Sequence, residues 1–352
     1  MAEWVVKYVG HKVSKVRWRP QLAGSIDPSD IFASGSWDDV VNHVCIWRFP
    51  ATAKAADEEG LNEPELVCAQ TSPADIMDLV FLNRDHLACA LSDGSVAVFS
   101  YKEAVGTLSH VRDWKRIHGQ KDLPSPCTSL GVIAGSSNVV SGGEDGRLNI
   151  LRLDDQKPYV TIATADSSTI SGLDCTIPSE VLASSSNGML KVWDLRKPTS
   201  KPTRILAIES GDYTSVNGVS RHPNQPNLVV LGCSDGSLCF WDLRQDKMPA
   251  SLYHAHTLDV WEAKFHRSYP DHLFTCCQDG SLWHWDASSV EGNGSAQRSA
   301  WLSGAMACGK VDIVNHLPHN TLSVNSCDIE SRHLVCGTDG EAIFVVVDLN
   351  LN

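Results

Sequence analysis

The chain has 352 residues, 42% of them hydrophobic and 20% charged, with a formal net charge of −13. That content supports a sizeable core and argues against disorder, and the excess of 42 acidic over 29 basic residues disfavours double-stranded nucleic acid as a direct ligand. No run of 18 apolar residues occurs, so no transmembrane helix is expected, and the opening Met-Ala-Glu-Trp-Val-Val-Lys lacks the basic-then-apolar pattern of a secretory signal.

In chain order, WVVKYV (4–9) reads first as a strand without a sheet of its own. From residue 13 one unit recurs: an apolar strand, then a hairpin. The leading strands are VSKVRW (13–18), DIMDLVF (75–81), CTSLGVI (127–133), TISGLDC (169–175), SVNGVSR (215–221), DVWEAKF (259–265) and LSVNSCD (322–328). Six of the hairpins turn on Asp-Gly or Asn-Gly, at 90–99, 141–151, 183–194, 231–242, 275–286 and 336–348. These dipeptides tolerate the positive φ angles of a tight turn, and β-formers flank them. A looser copy, FASGSWDDVVNHVCIW, lies at 32–47. The shared glycines (94, 146, 188, 236, 280, 340) are 52, 42, 48, 44 and 60 residues apart, near the length of a four-stranded propeller blade plus insertions.

With a further apolar stretch such as YVTIAT (159–164) or TRILAI (203–208), each unit has four strands. The expected fold is all-β: one seven-bladed β-propeller spanning 1–352. Its blades fall at about 13–70, 71–118, 125–165, 168–209, 213–254, 257–317 and 320–350 plus 4–9. The last blade lacks an outermost strand, and the N-terminal strand is expected to complete it and close the ring, leaving no free edge. Residues 50–65, 118–126 and 288–310 read as loop insertions. Asn293 begins a glycosylation sequon that is expected to be unused in a chain without a signal peptide.

The twelve cysteines include no Cys-x2-Cys pair and are expected to be reduced, buried hydrophobes in a cytosolic or nuclear protein. The nearest zinc candidates, Cys276-Cys277 and His254-Ala-His256, lack ligand spacing; adjacent cysteines in a strand point to opposite faces. His316-x-x-His319 is split by Pro318, so no metal and no cofactor is expected. No Gly-x-Ser-x-Gly elbow or phosphate loop before a helix is visible, so no catalytic constellation is read.

The endings VWD (192–194), FWD (240–242) and HWD (284–286) resemble the WD-repeat family. That resemblance implies a buried His, Ser/Thr, Asp, Trp network, matched fully in blade 6 by His256, Thr275, Asp279 and Trp285. Burial is the physical reason for it, since a dry Asp and a dry indole N–H both need partners. Blade 5 keeps Asp235 and Trp241 but has Leu231 at the hydroxyl position, and blade 4 keeps Asn187 and Trp193 but has Ala183 there. Those networks should be incomplete and blade 6 the stiffest.

SKVRWRP (14–20), FASGSWD (32–38), ADSSTI (165–170), RHPNQP (221–226), HLFTCCQDGSLWHWDAS (272–288), LSVN (322–325) and LVCGTDGEAIF (334–344) more closely resemble the small WD-repeat nucleoporins of the Y-shaped outer-ring scaffold of the nuclear pore. The resemblance runs from 14 to 344 and fails in the insertions 50–65 and 288–310. It implies a non-enzymatic structural subunit docked on α-solenoid nucleoporins, a kinetochore location in mitosis, and an indirect part in mRNA export.

Aligning the leading strands puts Ser14, Met77, Thr128, Ser171, Asn217, Trp261 and Asn325 in equivalent places around one mouth of the channel. Met77 and Trp261 are the large apolar members and the candidate partner contacts, the structural alternative being that Trp261 packs on neighbouring loops. The acidic run from Asp57 to Glu65 reads as a solvated loop or as a steering element for a basic partner. WDLR occurs at 193–196 and 241–244 and resembles the box by which some WD-repeat proteins dock to the adaptor of a cullin ubiquitin ligase. That alternative would assign the contact to Arg196 and Arg244. The competing structural reading pairs each arginine with the Asp two residues before it.

Overall fold

A computed structural model describes residues 3–22, 28–49, 56–57, 60–120, 123–196, 201–208, 214–245, 251–290, 300–302, 311–318 and 322–351. Among these residues, seven four-stranded antiparallel sheets form in turn from 13–72, 76–114, 127–162, 170–207, 216–254, 260–315 and 324–347, the last joined by Glu3–Tyr8. In each sheet the first strand of the unit is innermost. The seven inner strands, Val13–Trp18, Ile76–Phe81, Cys127–Val132, Ile170–Ile177, Val216–His222, Val260–Phe265 and Val324–Glu330, contact one another in sequence and the seventh touches the first. This is the expected seven-bladed propeller.

The N-terminal strand pairs antiparallel with Ala342–Val347, from Glu3 opposite Val347 to Tyr8 opposite Ala342. Val5 is buried and Trp4 meets Phe344 edge-on at 5.7 Å, so the strand adds core as well as hydrogen bonds. The core is divided into seven apolar clusters, one at each blade junction. The first inner-strand residue of every blade (Val13, Ile76, Cys127, Ile170, Val216, Val260, Val324) is buried in one of them.

Gly94, Gly146, Gly188, Gly236 and Gly280 adopt φ between 70° and 83°, as the turn chemistry requires. Blade 7 departs from the expected register: its left-handed residue is Glu341 (φ 57°), one position after Gly340. In all seven blades the residue after the second strand donates its N–H to the residue before the first strand, as in Ser92 to Asp75 and Gln278 to Asp259. Hairpin turns and entering loops therefore share one end of the ring.

The insertions hold more structure than loop composition suggests. Residues 118–126 contain a short hairpin, Gly119–Gln120 against Leu123–Pro124. Within 288–310, Trp301 is fully buried, stacked on Phe240 at 5.4 Å and edge-on to Phe265. Asn293 and His319 lie outside the described residues, as do Glu58 and Glu59 of the acidic run.

Candidate docking surface

The seven aligned mouth residues share a backbone feature. In every blade the register between first and second strands shifts after the first residue, skipping Ser14, Met77, Thr128, Ser171, Asn217, Trp261 and Asn325 in turn. Each is the extra residue of a β-bulge, which frees it from the ladder and re-aims its side chain. Most of these side chains clasp the next blade. Thr128 Oγ1 donates to Ile170 O at 2.5 Å, Ser171 Oγ to Val216 O, Asn217 Nδ2 to Asp259 at 3.0 Å, and Asn325 Nδ2 to Val13 O at 3.0 Å. Trp261 Nε1 donates to Ser323 Oγ at 3.2 Å, and its partly buried ring packs on the blade 7 core. Met77 has no polar group to donate and packs, partly buried, against the junction of blades 2 and 3.

A second tier of ties lies deeper in the channel. Asp78 accepts from Leu130 N (2.8 Å), Asp174 from Arg221 N (2.9 Å), Glu262 from Cys327 N (3.1 Å) and Asp328 from Trp18 N (2.7 Å). Each carboxylate thus holds the backbone of the following blade. Glu262 also receives Lys15 Nζ (2.9 Å) and Arg17 Nη2 (2.7 Å) from blade 1, and Arg17 reaches on to Asp78 of blade 2 at 3.2 Å. Burial would push the Glu262 carboxyl up, but Arg17, Lys15 and Lys264 outweigh it and hold it well below the usual carboxylate range. This network links blades 6, 7, 1 and 2 across the channel. Beyond it the other mouth opens into a cavity of about 610 Å³, lined in part by Arg19, Arg221, Arg267 and Lys264.

The four blade 6 residues lie in one relay, lengthened by Ser281. Trp285 Nε1 donates to Thr275 Oγ1 (2.9 Å), and Thr275 is 2.8 Å from His256 Nε2. His256 Nδ1 meets Ser281 Oγ at 2.9 Å, and Ser281 donates to Asp279 Oδ1 at 2.5 Å. His256 and Asp279 themselves are 3.7 Å apart, beyond direct bonding. The bonds run consistently for a neutral imidazole carrying its proton on Nδ1. Burial, only partly opposed by Asp279, pushes the His256 pKa down to about 4.

Sequence reasoning missed a related network in blade 3. His118 Nε2 is 2.9 Å from Ser141 Oγ, and His118 Nδ1 is 2.9 Å from Asp145 Oδ1. These are distances of a catalytic triad, yet His118 and Ser141 are fully buried, so no substrate carbonyl could reach the hydroxyl. The four-residue step from Ser141 to Asp145, which equals that from Thr275 to Asp279, was a readable signal. In blade 1, Trp47 Nε1 donates to Ser34 Oγ at 2.8 Å. In blade 5, Trp241 Nε1 turns to Gln245 O, and in blade 4 the Trp193 N–H is buried without a partner.

Arg196 and Arg244 each fold back on the Asp two residues earlier, Nη2 to Oδ2 at 2.7 Å and 2.6 Å. Their side chains are 73% and 60% exposed, at the end of the third strand of adjacent blades. Cys276 and Cys277 point apart, the first toward Cys327 and the second donating to Leu258 O at 3.2 Å. Among the described residues, two groups bring metal-type donors together, His256–Cys277–Asp279 and Glu262–Cys276–Cys327. The first has its imidazole engaged at both nitrogens, and the second is faced by the cations on Glu262, so neither favours an added positive charge. Burial pushes the Cys45, Cys233 and Cys277 thiols up to about 12, consistent with inert core residues.

The WD domain, G-beta repeat family model matches residues 201–242. Over nearly the full chain, the sequence is 38% identical to nucleoporin Nup43 of Mus musculus (99% of this chain, 100% of the relative) and 38% identical to nucleoporin Nup43 of Homo sapiens (98% of each). The nuclear pore complex protein nup43 of Dictyostelium discoideum is 23% identical over 59% of this chain and 51% of the relative. With sevenfold topology, repeat chemistry and end-to-end similarity in agreement, the chain belongs to the Nup43 family of WD-repeat nucleoporins.

Proposed function

We propose that this protein is a rigid, non-enzymatic scaffold subunit of the nuclear pore complex, held in the Y-shaped outer-ring assembly by an α-solenoid nucleoporin. The observation that carries the reading is the family membership, which rests on similarity over nearly the full chain. The ring supports it physically. Bulge clasps, carboxylate ties and the charge network fix each blade to its neighbours, so the loops form a preorganised docking surface. Trp261 and Met77, at one mouth, are the partner contacts within this proposal. The protein resides at the nuclear envelope, serves pore assembly and transport, including mRNA export, and joins kinetochores in mitosis.

The test is affinity purification of the tagged protein from interphase extract, with quantitative mass spectrometry. Stoichiometric α-solenoid nucleoporins are the expected outcome. Recovery of a ligase adaptor and cullin without nucleoporins would overturn the reading in favour of the WDLR alternative. Arg196→Ala with Arg244→Ala separates the two: nucleoporin recovery should be unchanged, because both arginines spend their charge on their own strand-end aspartates.

A further inference from the structure

Blades 6, 7 and 1 leave apolar side chains at the end of the ring where the inner strands begin. Val40 and Val41, in the blade 1 hairpin turn, are 98% and 46% exposed. Leu322, entering blade 7, is 62% exposed, and Leu258, entering blade 6, is 46% exposed. A hydrogen-bonded ridge runs across the same three blades. Trp261 Nε1 donates to Ser323 Oγ, Ser323 Oγ to Asn325 Oδ1 at 2.8 Å, and Asn325 Nδ2 to Asp339 Oδ1 at 2.8 Å. Trp37 Nε1 donates to the same Asp339 oxygen at 3.1 Å, joining blade 1 to blade 7. The apolar residues therefore stand on a fixed base.

Charge decides what they fit. Among the described residues, the turns and entering loops of these three blades carry Asp38, Asp39, Asp259, Asp279, Asp339 and Glu341 against one base, Lys12, which is itself paired with Asp38. The opposite mouth sets Arg19, Arg221, Lys264 and Arg267 beside Asp174, Asp328 and Glu330. The same face of a second copy would meet like charge here, and so would nucleic acid or an anionic membrane. Exposed aliphatic side chains among an excess of carboxylates match a protein segment that sets Lys and Arg around apolar anchors. We propose that the blade 6–7–1 sector of this mouth docks such a basic segment of its nucleoporin partner. The proposal rests on the scaffold reading and specifies the face and the chemistry of that contact.

The test uses the full chain with benzoyl-phenylalanine, a photo-cross-linker, in place of Val40 or Leu322, and in place of Tyr159 as a control on the outer strand region of blade 3. Cross-linked peptides are sequenced after irradiation in cells. The expected result is that the Val40 and Leu322 probes trap one nucleoporin segment with more Lys and Arg than Asp and Glu, and that the Tyr159 probe does not trap it. In parallel, Val40→Asp with Leu322→Asp should weaken co-purification at least tenfold while leaving the melting temperature unchanged, since both side chains are exposed. Trapping of an acidic or neutral segment, trapping of a second copy of this chain, or undiminished binding by the double variant would each overturn the proposal. Nucleoporins recovered but trapped only from Tyr159 would sink this inference and leave the scaffold reading standing. Absence of nucleoporins altogether would remove both.

Discussion

Acid should destabilise this propeller through blade 6 well before its carboxylates titrate. His272 Nδ1 and His284 Nε2 are 2.9 Å apart, an arrangement that holds one proton and not two. His284 stacks on Phe274 and on His316, and the His316 Nε2 is buried without a partner. Burial, reinforced by His316 and His272, pushes the His284 pKa down to about 3. Burial is the main cause that takes His316 to about 4, and His256 falls to about 4 in its relay. Unfolded, each would titrate near 6.5. Their contribution to stability is therefore fully present above pH 6.5 and is lost as pH falls toward the folded values, because only the unfolded chain takes up the protons. At pH 5 that uptake favours unfolding by about 2 kcal/mol per imidazole, or about 6 kcal/mol for the three, against typical stabilities of about 5–15 kcal/mol. Burial also lowers the pKa of His11, His222, His266 and His272, which adds to the effect, whereas Glu330, raised by burial, works against it. Urea unfolding followed by tryptophan fluorescence from pH 7.5 to 5.0 measures this directly. Between pH 6 and 5 the unfolding free energy should drop by about 4 kcal/mol, the linkage slope of three protons. His316→Phe should remove about one proton from that slope. A free energy that stays flat from pH 7.5 to 5.0 would refute the reasoning.

Other perturbations probe the ties separately. Glu262→Gln strips Lys15 and Arg17 of their shared buried carboxylate and should cost about 3–5 kcal/mol, read as a lowered denaturation midpoint; a loss under about 1 kcal/mol would mean the cations relax into solvent. Asp279→Ala leaves the Ser281 and Thr257 hydroxyls without their acceptor and should cost about 1–3 kcal/mol in the same assay, whereas under about 0.5 kcal/mol, the range of surface substitutions, would mean the relay is not formed. Removing residues 1–10 strips the partner from Ala342–Val347 and should lower the melting temperature and promote aggregation; an unchanged melting curve would contradict the closure argument.

What was legible in the sequence was what local chemistry encodes. Asp-Gly and Asn-Gly turns announced the hairpins because the required backbone angle is a property of one residue, and the spare strand at 4–9 was identifiable by counting. Blade 7 shows the limit of that reading, since its turn places Glu341 rather than Gly340 in the left-handed region. The mouth positions emerged from alignment, but not the bulge that puts them there. Most of their bonds were unreadable because they go to a neighbouring blade, Thr128 to Ile170 and Asn325 to Val13, where composition carries no signal. The charge network was hidden for the same reason: Lys15 and Glu262 are 247 residues apart. In blade 3, insertion widened the step from His118 to Ser141 to 23 residues, against 19 from His256 to Thr275, and that shift concealed a network with the same hydrogen-bond logic. Trp301 was obscured by its Gly- and Ser-rich surroundings, although its burial is what ties that insertion to blades 5 and 6.

The repeat and its exceptions therefore have different physical roles. Seven apolar junctions alone would specify a ring of equivalent blades, free to shift register or pair in the wrong order. The ionic groups break that equivalence: Arg17 bonds Glu262 and Asp78 only when blades 6, 7, 1 and 2 are in their native order, and the pairs are buried enough that a mismatch would strand a charge. These ties run through the same blades as the strand that closes the ring and the acidic, apolar-studded mouth. The closure of the ring and the proposed docking face are thereby built on one rigid base. A mutation at the channel charges would then weaken partner binding by loosening the platform, and one at Val40 or Leu322 would weaken it with stability intact. Comparing melting temperature with co-purification across both sets separates support from contact.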